Sequence, residues 1–214
     1  MWMSVKHKEK KALDIWAREI ASAGTGMAPG LSALVGGRPK PSPCLKLFSF
    51  LYPKSMLPAT IQLDDQQIEY LCQNSSNANV ESNHTSAGNE LEPETEILQG
   101  SITYTLGDLA YARSGDKGDS CNIGVIARDP KYLLYIKKYV TSEAVHDYFE
   151  HFIDASEGKV TRFDLPGISA VNFLLEKSLG GGGIASLRPD PLGKSFAQML
   201  LDLELKNMPD LKDL

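Results

Sequence analysis

Residues 100–214 predict an α+β fold, a two-layer sandwich in which a four-stranded sheet carries helices on one face. Three observations support this prediction. Apolar runs of strand length occur in two pairs, and apolar residues at helical spacing occur between the pairs and after them. Gly or Pro residues separate several of these segments. Paired strands combined with helices are typical of a two-layer α+β domain.

The first strand pair is predicted at residues 102–112 and 122–128. The first of these runs has Leu106, Leu109 and Tyr111 as apolar anchors, and the second reads NIGVIAR. The intervening residues are charged, small or glycine, and they predict a loop made of Arg113, Ser114, Gly115, Asp116, Lys117, Gly118 and Asp119.

Helices are predicted after the first strand pair. Asp129 and Pro130 open a helical region, and its first helix includes residues 133–137. Thr141 is suited to cap a second helix with an apolar side, and Gly158 ends it.

The second strand pair is predicted at residues 160–165 and 168–175, joined at Pro166 and Gly167. A run of four glycines follows at residues 180–183. The last helix is predicted to have Asp190 as its cap and Pro191 in its first turn. Its apolar stripe would consist of Leu192, Phe196, Met199, Leu200 and Leu203.

Residues 1–72 form a separate piece of the chain. They predict a helix at residues 8–23, then a stretch rich in Gly and Pro, and a strand at residues 60–71 with Asp64 and Asp65 at a turn. The run at residues 45–52 is apolar on nearly every side, and this piece offers little surface to cover it. We therefore interpret residues 1–72 as the end of a larger domain.

Residues 73–99 predict a disordered acidic linker. They contain five glutamates, no basic residue and few large apolar side chains, so burial cannot offset the entropy of ordering them. The net charge of the protein is −5, and outside the linker 22 acidic residues balance 22 Lys and Arg. This balance argues against a nucleic-acid partner.

Other classes of protein are disfavoured by composition. Cys44, Cys72 and Cys121 are far apart and form no CxxC, so neither a disulfide framework nor a zinc site is expected, and no metal ligand is assigned among them. No apolar run is long enough to span a bilayer, and no targeting segment is evident, which makes a cytoplasmic protein the default expectation.

The predicted loop is the first candidate for chemistry. Arg113 is suited to bind a carboxylate or phosphate through two hydrogen bonds, and consecutive amides near Gly115 and Gly118 could hold an anion. Alternatively, Asp116 and Asp119 could hold a hard cation such as Mg²⁺. A surface turn that neutralises its own charge is the third interpretation.

The glycine run and the helix after it are the second candidate. They resemble a phosphate-binding P-loop only superficially, because Arg188 stands where the first glycine of that motif is required. A flap beside the charged loop and a plain connection both remain open.

Asn172 is a polar residue in an apolar strand and needs a partner, either within the protein or in a ligand. The ligand-binding candidates outside the loop are Asn122, Asn172, Gly181, Gly182, Arg188 and Lys194. No cofactor follows from these residues, and no G-x-S-x-G supports a serine hydrolase.

These motifs resemble a known family. The strings AYARSGDKGD and NIGVIAR, followed by LPG, NF, LGGG and SLR, are similar to the C-terminal domain of the acyclic terpene utilisation (AtuA-like) proteins. The resemblance covers about 105 residues and implies a ferredoxin-like fold. In addition, AGTGMAPG, VGGRPK and LFSFL resemble the end of the large N-terminal domain of that family.

The resemblance implies a limited set of functions. Bacterial relatives are associated with the breakdown of acyclic terpenes through acyl-CoA intermediates, so we expect an anionic organic acid or an acyl-CoA as ligand. No defined reaction follows, and whether the chain is an enzyme stays open. The alternatives are an assembly or docking domain, which meets the missing N-terminal domain or another copy, and a fragment without independent activity.

Overall fold

The computed structural model describes residues 3–27, 29–30, 37–46, 48, 50–70, 98–165 and 167–213. The chain divides into two compact units, one formed by Met1–Lys46 with Gly88–Leu214 and the other by Leu47–Ala87. The linker predicted at residues 73–99 lies outside the described residues except for its last two positions.

Helices and strands of the described residues are numbered in chain order. The α-helices are α1 (Lys10–Glu19), α2 (Ala23–Gly26), α3 (Leu106–Leu109), α4 (Leu133–Tyr139), α5 (Ser142–Tyr148) and α6 (Phe196–Leu201). The strands are β1 (Ala59–Leu63), β2 (Gln66–Tyr70), β3 (Ile102–Thr105), β4 (Ala110–Lys117), β5 (Ser120–Ala127), β6 (Lys159–Leu165), β7 (Ala170–Glu176) and β8 (Glu204–Met208). Turns of 3₁₀-helix occur at Ile20–Ser22, Lys54–Met56, Pro130–Tyr132, Glu150–Phe152 and Leu211–Asp213. None of the helices within the described ranges is long and apolar enough to cross a bilayer.

The smaller unit contains a β-hairpin. β1 and β2 pair in antiparallel register around a turn at Asp64 and Asp65, where Asp64 has φ of 50°. The strand predicted at residues 60–71 is therefore two strands over its described part, with Leu71 outside that part. Phe48, Phe50 and Leu51 of the apolar run are exposed.

Strand pairing in the larger unit confirms the predicted α+β class. Four strands form one antiparallel sheet in the order β4-β5-β7-β6, and β4–β5 and β6–β7 are both hairpins. β3 pairs with β8 in a separate two-stranded sheet. β8 was not predicted; it forms because Leu205 and Met208 bury their side chains as the strand pairs with β3.

The helices α4, α5 and α6 pack on one face of the four-stranded sheet. Phe149, Phe173 and Phe196 are almost completely buried in this layer, and the rings of Phe149 and Phe196 stack with their centroids 5.1 Å apart. Burial of such a side chain contributes about 1.5–3 kcal/mol, so these aromatic residues are a main source of stability for the sandwich.

The prediction of one continuous strand at residues 102–112 is wrong, because the single helical turn α3 interrupts it. Thr105 and Asp108 form a capping box, in which the Asp108 carboxylate accepts hydrogen bonds from the Thr105 N–H at 2.7 Å and the Thr105 hydroxyl at 2.8 Å. Such a box satisfies the N–H groups that the first turn of a helix leaves free. The turn moves the chain from the small sheet to the large one.

The predicted start of the last helix is also wrong. Asp190 does not cap a helix there; its carboxylate accepts hydrogen bonds from Lys194 N–H at 3.0 Å and from Ser195 N–H at 2.7 Å. These bonds stabilise a bend in which Gly193 has φ of 61°, and α6 begins only after it. At the N-terminus, α1 lies within the predicted helix, but helical structure continues past Gly24 to Gly26.

Candidate functional site

The polar stretch predicted as a loop is mostly strand. β4 continues to Lys117, which pairs with Ser120, so that only Gly118 and Asp119 form the turn. Gly118 has φ of 67°, the left-handed conformation that tight hairpin turns require. Successive N–H groups of a strand point in opposite directions, so the predicted concavity of consecutive amides is wrong for this stretch.

Side chains alternate along β4, and this alternation divides the polar residues between the two faces of the sheet. Ser114 is buried beneath α6. Arg113 therefore belongs to the face turned away from the helices, which we call the open face. The strand register places Gly124 opposite Arg113 and Asn122 opposite Gly115, so these residues share the open face.

A hollow of about 410 Å³ lies along β4, and we call it the β4 hollow. It is lined by Arg113, Ser114, Gly115, Asp116, Lys117, Asn122, Gly124 and Lys194. Only Gly124 among these residues was not predicted. A glycine inside an apolar strand often marks a close approach to the backbone, and this signal was present in the string NIGVIAR.

Lys194 reaches the β4 hollow from the bend that precedes α6. Its Nζ lies 4.0 Å from an Asp116 carboxylate oxygen. The Ser114 hydroxyl donates to the Gly193 carbonyl at 2.6 Å, and together with Asp190 it holds this bend against the edge of the sheet. Ser114 therefore positions Lys194 from beneath and belongs to the supporting structure of the hollow.

The charge of the β4 hollow is positive. Arg113, Lys117 and Lys194 contribute three cations, whereas Asp116 is the one carboxylate in its lining. Lys117 donates to the backbone carbonyl of Asp116 at 3.1 Å. Among the described residues, none pairs with the exposed Arg113 guanidinium, so its donors face solvent. Such a hollow is suited to an anion, because Arg can offer two parallel N–H groups and Lys a point charge.

The family model of the AtuA ferredoxin-like domain matches residues 104–206. The match spans α3, the four-stranded sheet and the β4 hollow. These residues are an AtuA ferredoxin-like domain. Comparison with curated proteins and comparison with solved structures each found no match.

A second hollow of the AtuA ferredoxin-like domain, about 540 Å³ in volume, contains other predicted site residues. Asp119, Gly181 and Arg188 line it. Asp116 lines the β4 hollow and Asp119 lines the second one, which argues against the joint Mg²⁺ site that was one alternative. No group of three His, Cys, Asp or Glu in the described ranges is placed to hold a metal ion.

The glycine run packs against the hairpin turn. Asp119 accepts a hydrogen bond from Gly181 N–H at 2.6 Å, and its backbone carbonyl accepts from Ser178 and Leu179. A Cβ added to Gly182 would lie 2.6 Å from the Gly118 carbonyl oxygen. The run therefore supports the turn from behind and does not line the β4 hollow.

Arg188 and Asn172 have partners inside the AtuA ferredoxin-like domain. The Arg188 guanidinium donates to the backbone carbonyls of Ser178 and Phe152, the latter at 2.9 Å. Asn172 accepts a hydrogen bond from Asn122 at 3.2 Å, which places the amide pair beside the β4 hollow. Asn172 therefore holds the Asn122 side chain that lines the β4 hollow, whereas Arg188 ties the glycine segment to the helical layer.

Cys121 is fully buried. Burial raises the pKa of its thiol to about 11, so the thiolate needed for nucleophilic chemistry does not form near neutral pH. Its Sγ lies 3.6 Å from the Gly193 carbonyl, where it packs behind the β4 hollow.

Proposed function

We propose that the domain binds an anionic organic acid or an acyl-CoA in the β4 hollow, as part of acyclic terpene or branched acyl catabolism. The observation that carries the proposal is the arrangement of Arg113, Lys117 and Lys194 around one hollow that contains Asp116 as its counter-charge. The resemblance to AtuA-like proteins supplies the catabolic setting.

The chemistry of these side chains favours a carboxylate or phosphate. Arg113 can bind two oxygens of either group, and Lys117 and Lys194 can each add a hydrogen bond. A hydrogen bond to a charged group contributes about 1.5–3 kcal/mol, net of the hydrogen bonds to water that it replaces. Asp116 keeps Lys194 near the hollow before a ligand arrives and can release it to the incoming anion.

Calorimetry of the full chain tests the proposal. Isovaleryl-CoA and free isovalerate are titrated separately, which distinguishes binding through the CoA phosphates from binding through a carboxylate. We expect Arg113→Ala and Lys117→Ala each to weaken binding about tenfold, a loss of about 1.4 kcal/mol. Lys206→Ala is the matched control, because Lys206 is exposed on β8 and pairs with Glu204. Binding that survives the Arg113→Ala, Lys117→Ala double variant would contradict the proposal.

A second candidate function is assembly or docking. It is favoured by the apolar end of the open face, where Tyr111, Ile126 and Leu165 are exposed on three strands. If this face joins two copies, light scattering of the full chain should show a dimer that Ile126→Lys converts to a monomer. A wild-type chain that stays monomeric at every concentration would exclude self-association.

A further inference from the structure

The floor of the β4 hollow contains two strand glycines. Gly115 lies on β4 and Gly124 on β5, and their partners in the register are Asn122 and Arg113. Neither glycine has a positive φ, in contrast to Gly118 in the adjoining turn. The backbone conformation at Gly115 and Gly124 therefore does not require glycine.

Sterics within the protein do not require glycine either. A Cβ added to Gly124 would meet only the Arg113 carbonyl oxygen and the Asn172 Oδ1, both at 3.9 Å. At Gly115 the nearest atom would be the mobile end of the Lys194 side chain, at 3.0 Å. Glycine inside a strand weakens the strand and often marks a close approach to the backbone. At Gly115 the Lys194 ammonium makes this approach, whereas the Cβ position of Gly124 is left open.

Glycines in a sheet are stabilised when an aromatic ring covers them. Among the described residues, and leaving aside chain neighbours, no aromatic atom lies within 4 Å of the Cβ positions of Gly115 or Gly124. Tyr111 is the aromatic residue of β4, but its ring lies against Arg128, whose guanidinium carbon is 3.9 Å from the ring centroid. Gly124 is half-buried, so its peptide groups are open to a flat surface from outside, whereas Gly115 is buried and the Lys194 ammonium lies beside it.

We propose that the β4 hollow is selective for planar anions, meaning a carboxylate conjugated to a double bond or carried by an aryl group. The proposal rests on the anion-binding function proposed above. Arg113, Lys117 and Lys194 would hold the charged end, and the flat part would lie on the peptide groups at Gly124. A saturated ring or chain touches such a floor with fewer atoms, and it loses the dispersion contacts that a flat group makes.

Two acids of matched charge and length test this selectivity. Full-chain protein is titrated by calorimetry with trans-cinnamate and with 3-cyclohexylpropanoate, which differ mainly in flatness. We expect trans-cinnamate to bind about five- to tenfold more tightly, as an aromatic contact of ordinary strength would produce. Gly124→Ala should remove this preference while the urea midpoint of the variant stays at or above that of the wild type. Gly24→Ala is the control, because a Cβ there meets nothing within 4 Å and lies outside the hollow.

The outcomes separate this inference from the function on which it rests. Equal binding of the two acids, with both weakened by Arg113→Ala, overturns the planar selectivity and leaves anion binding intact. A preference that persists in Gly124→Ala also overturns it. Absence of binding by either acid overturns the selectivity, and absence of binding by isovaleryl-CoA and isovalerate as well, or binding that Arg113→Ala does not change, overturns anion binding too.

Discussion

The Ser114 hydroxyl on β4 accepts a hydrogen bond from the Ala197 N–H of α6 at 2.9 Å. The same hydroxyl donates to the Gly193 carbonyl, so one buried oxygen joins the edge of the sheet to the first turn of the helix. Because Lys194 lies between these two contacts, the position of its ammonium group in the β4 hollow depends on Ser114.

Replacing Ser114 with alanine should destabilise the domain and weaken anion binding. The substitution leaves the buried Ala197 N–H without its partner and removes the shortest of the hydrogen bonds to the Gly193 carbonyl, which costs about 1–3 kcal/mol. Urea unfolding measures the loss of stability, and calorimetry at a temperature where the variant stays folded measures binding. Ser120→Ala, in the same hairpin, should stay within about 0.5 kcal/mol of the wild type. Equal stability of Ser114→Ala and wild type would show that the two hydrogen bonds contribute nothing.

Asp190 should make part of the stability dependent on pH. Burial alone would raise the pKa of its carboxyl, but hydrogen bonds from the Ser195 side chain, the Ser195 N–H and the Lys194 N–H outweigh burial and lower the pKa below 3.8. A lowered pKa in the folded state stabilises the protein above the unfolded pKa, and this contribution is lost as pH falls through the folded value.

The free energy of unfolding of Asp190→Asn should therefore fall less steeply than that of the wild type as the pH is lowered from about 4 to about 2. Urea midpoints measured for both proteins across that range test the difference. Asp154, whose pKa is also lowered, is present in both proteins and cancels in the comparison. Parallel curves for wild type and variant would argue against the role of Asp190.

The sequence predicted the class of the fold because apolar periodicity records which side chains are buried. It also predicted most of the lining of the β4 hollow, since Arg113 to Lys117 are adjacent in the chain. What it missed was the conformation of that stretch. Polar residues on an edge strand with one open face resemble a loop, because little burial constrains them.

Long-range contacts explain the other differences. β8 is short and partly exposed, and it is recognisable as a strand only because β3 pairs with it. The bend before α6 depends on Ser114, which is far away in sequence. The capping box of Thr105 and Asp108, by contrast, is local and could have been recognised from the sequence alone.

Cys121 should resist thiol reagents in the folded protein. Its burial and a thiol pKa of about 11 leave almost no thiolate at pH 8. We expect a Cys44→Ser, Cys72→Ser variant to react with a disulfide reagent only as fast as it unfolds, and to react at once in urea. A reference variant that retains exposed Cys44 and lacks the other cysteines should react rapidly without urea. Rapid labelling of folded Cys121 would mean that the region behind the β4 hollow opens readily.

Gly182→Ala should destabilise the hairpin turn. Gly182 has φ of 81°, and a Cβ there would lie 2.6 Å from the Gly118 carbonyl oxygen, so both conformation and sterics oppose alanine. Backbone in this region costs a residue other than glycine on the order of 1 kcal/mol, and the clash with the turn adds to it. Urea unfolding of Gly182→Ala and of Gly24→Ala, whose added methyl group meets open space, provides the comparison. Because the glycine run supports the turn and not the β4 hollow, anion affinity should change less than stability does. A Gly182→Ala protein with unchanged stability but no binding would instead place the glycine run in the ligand site.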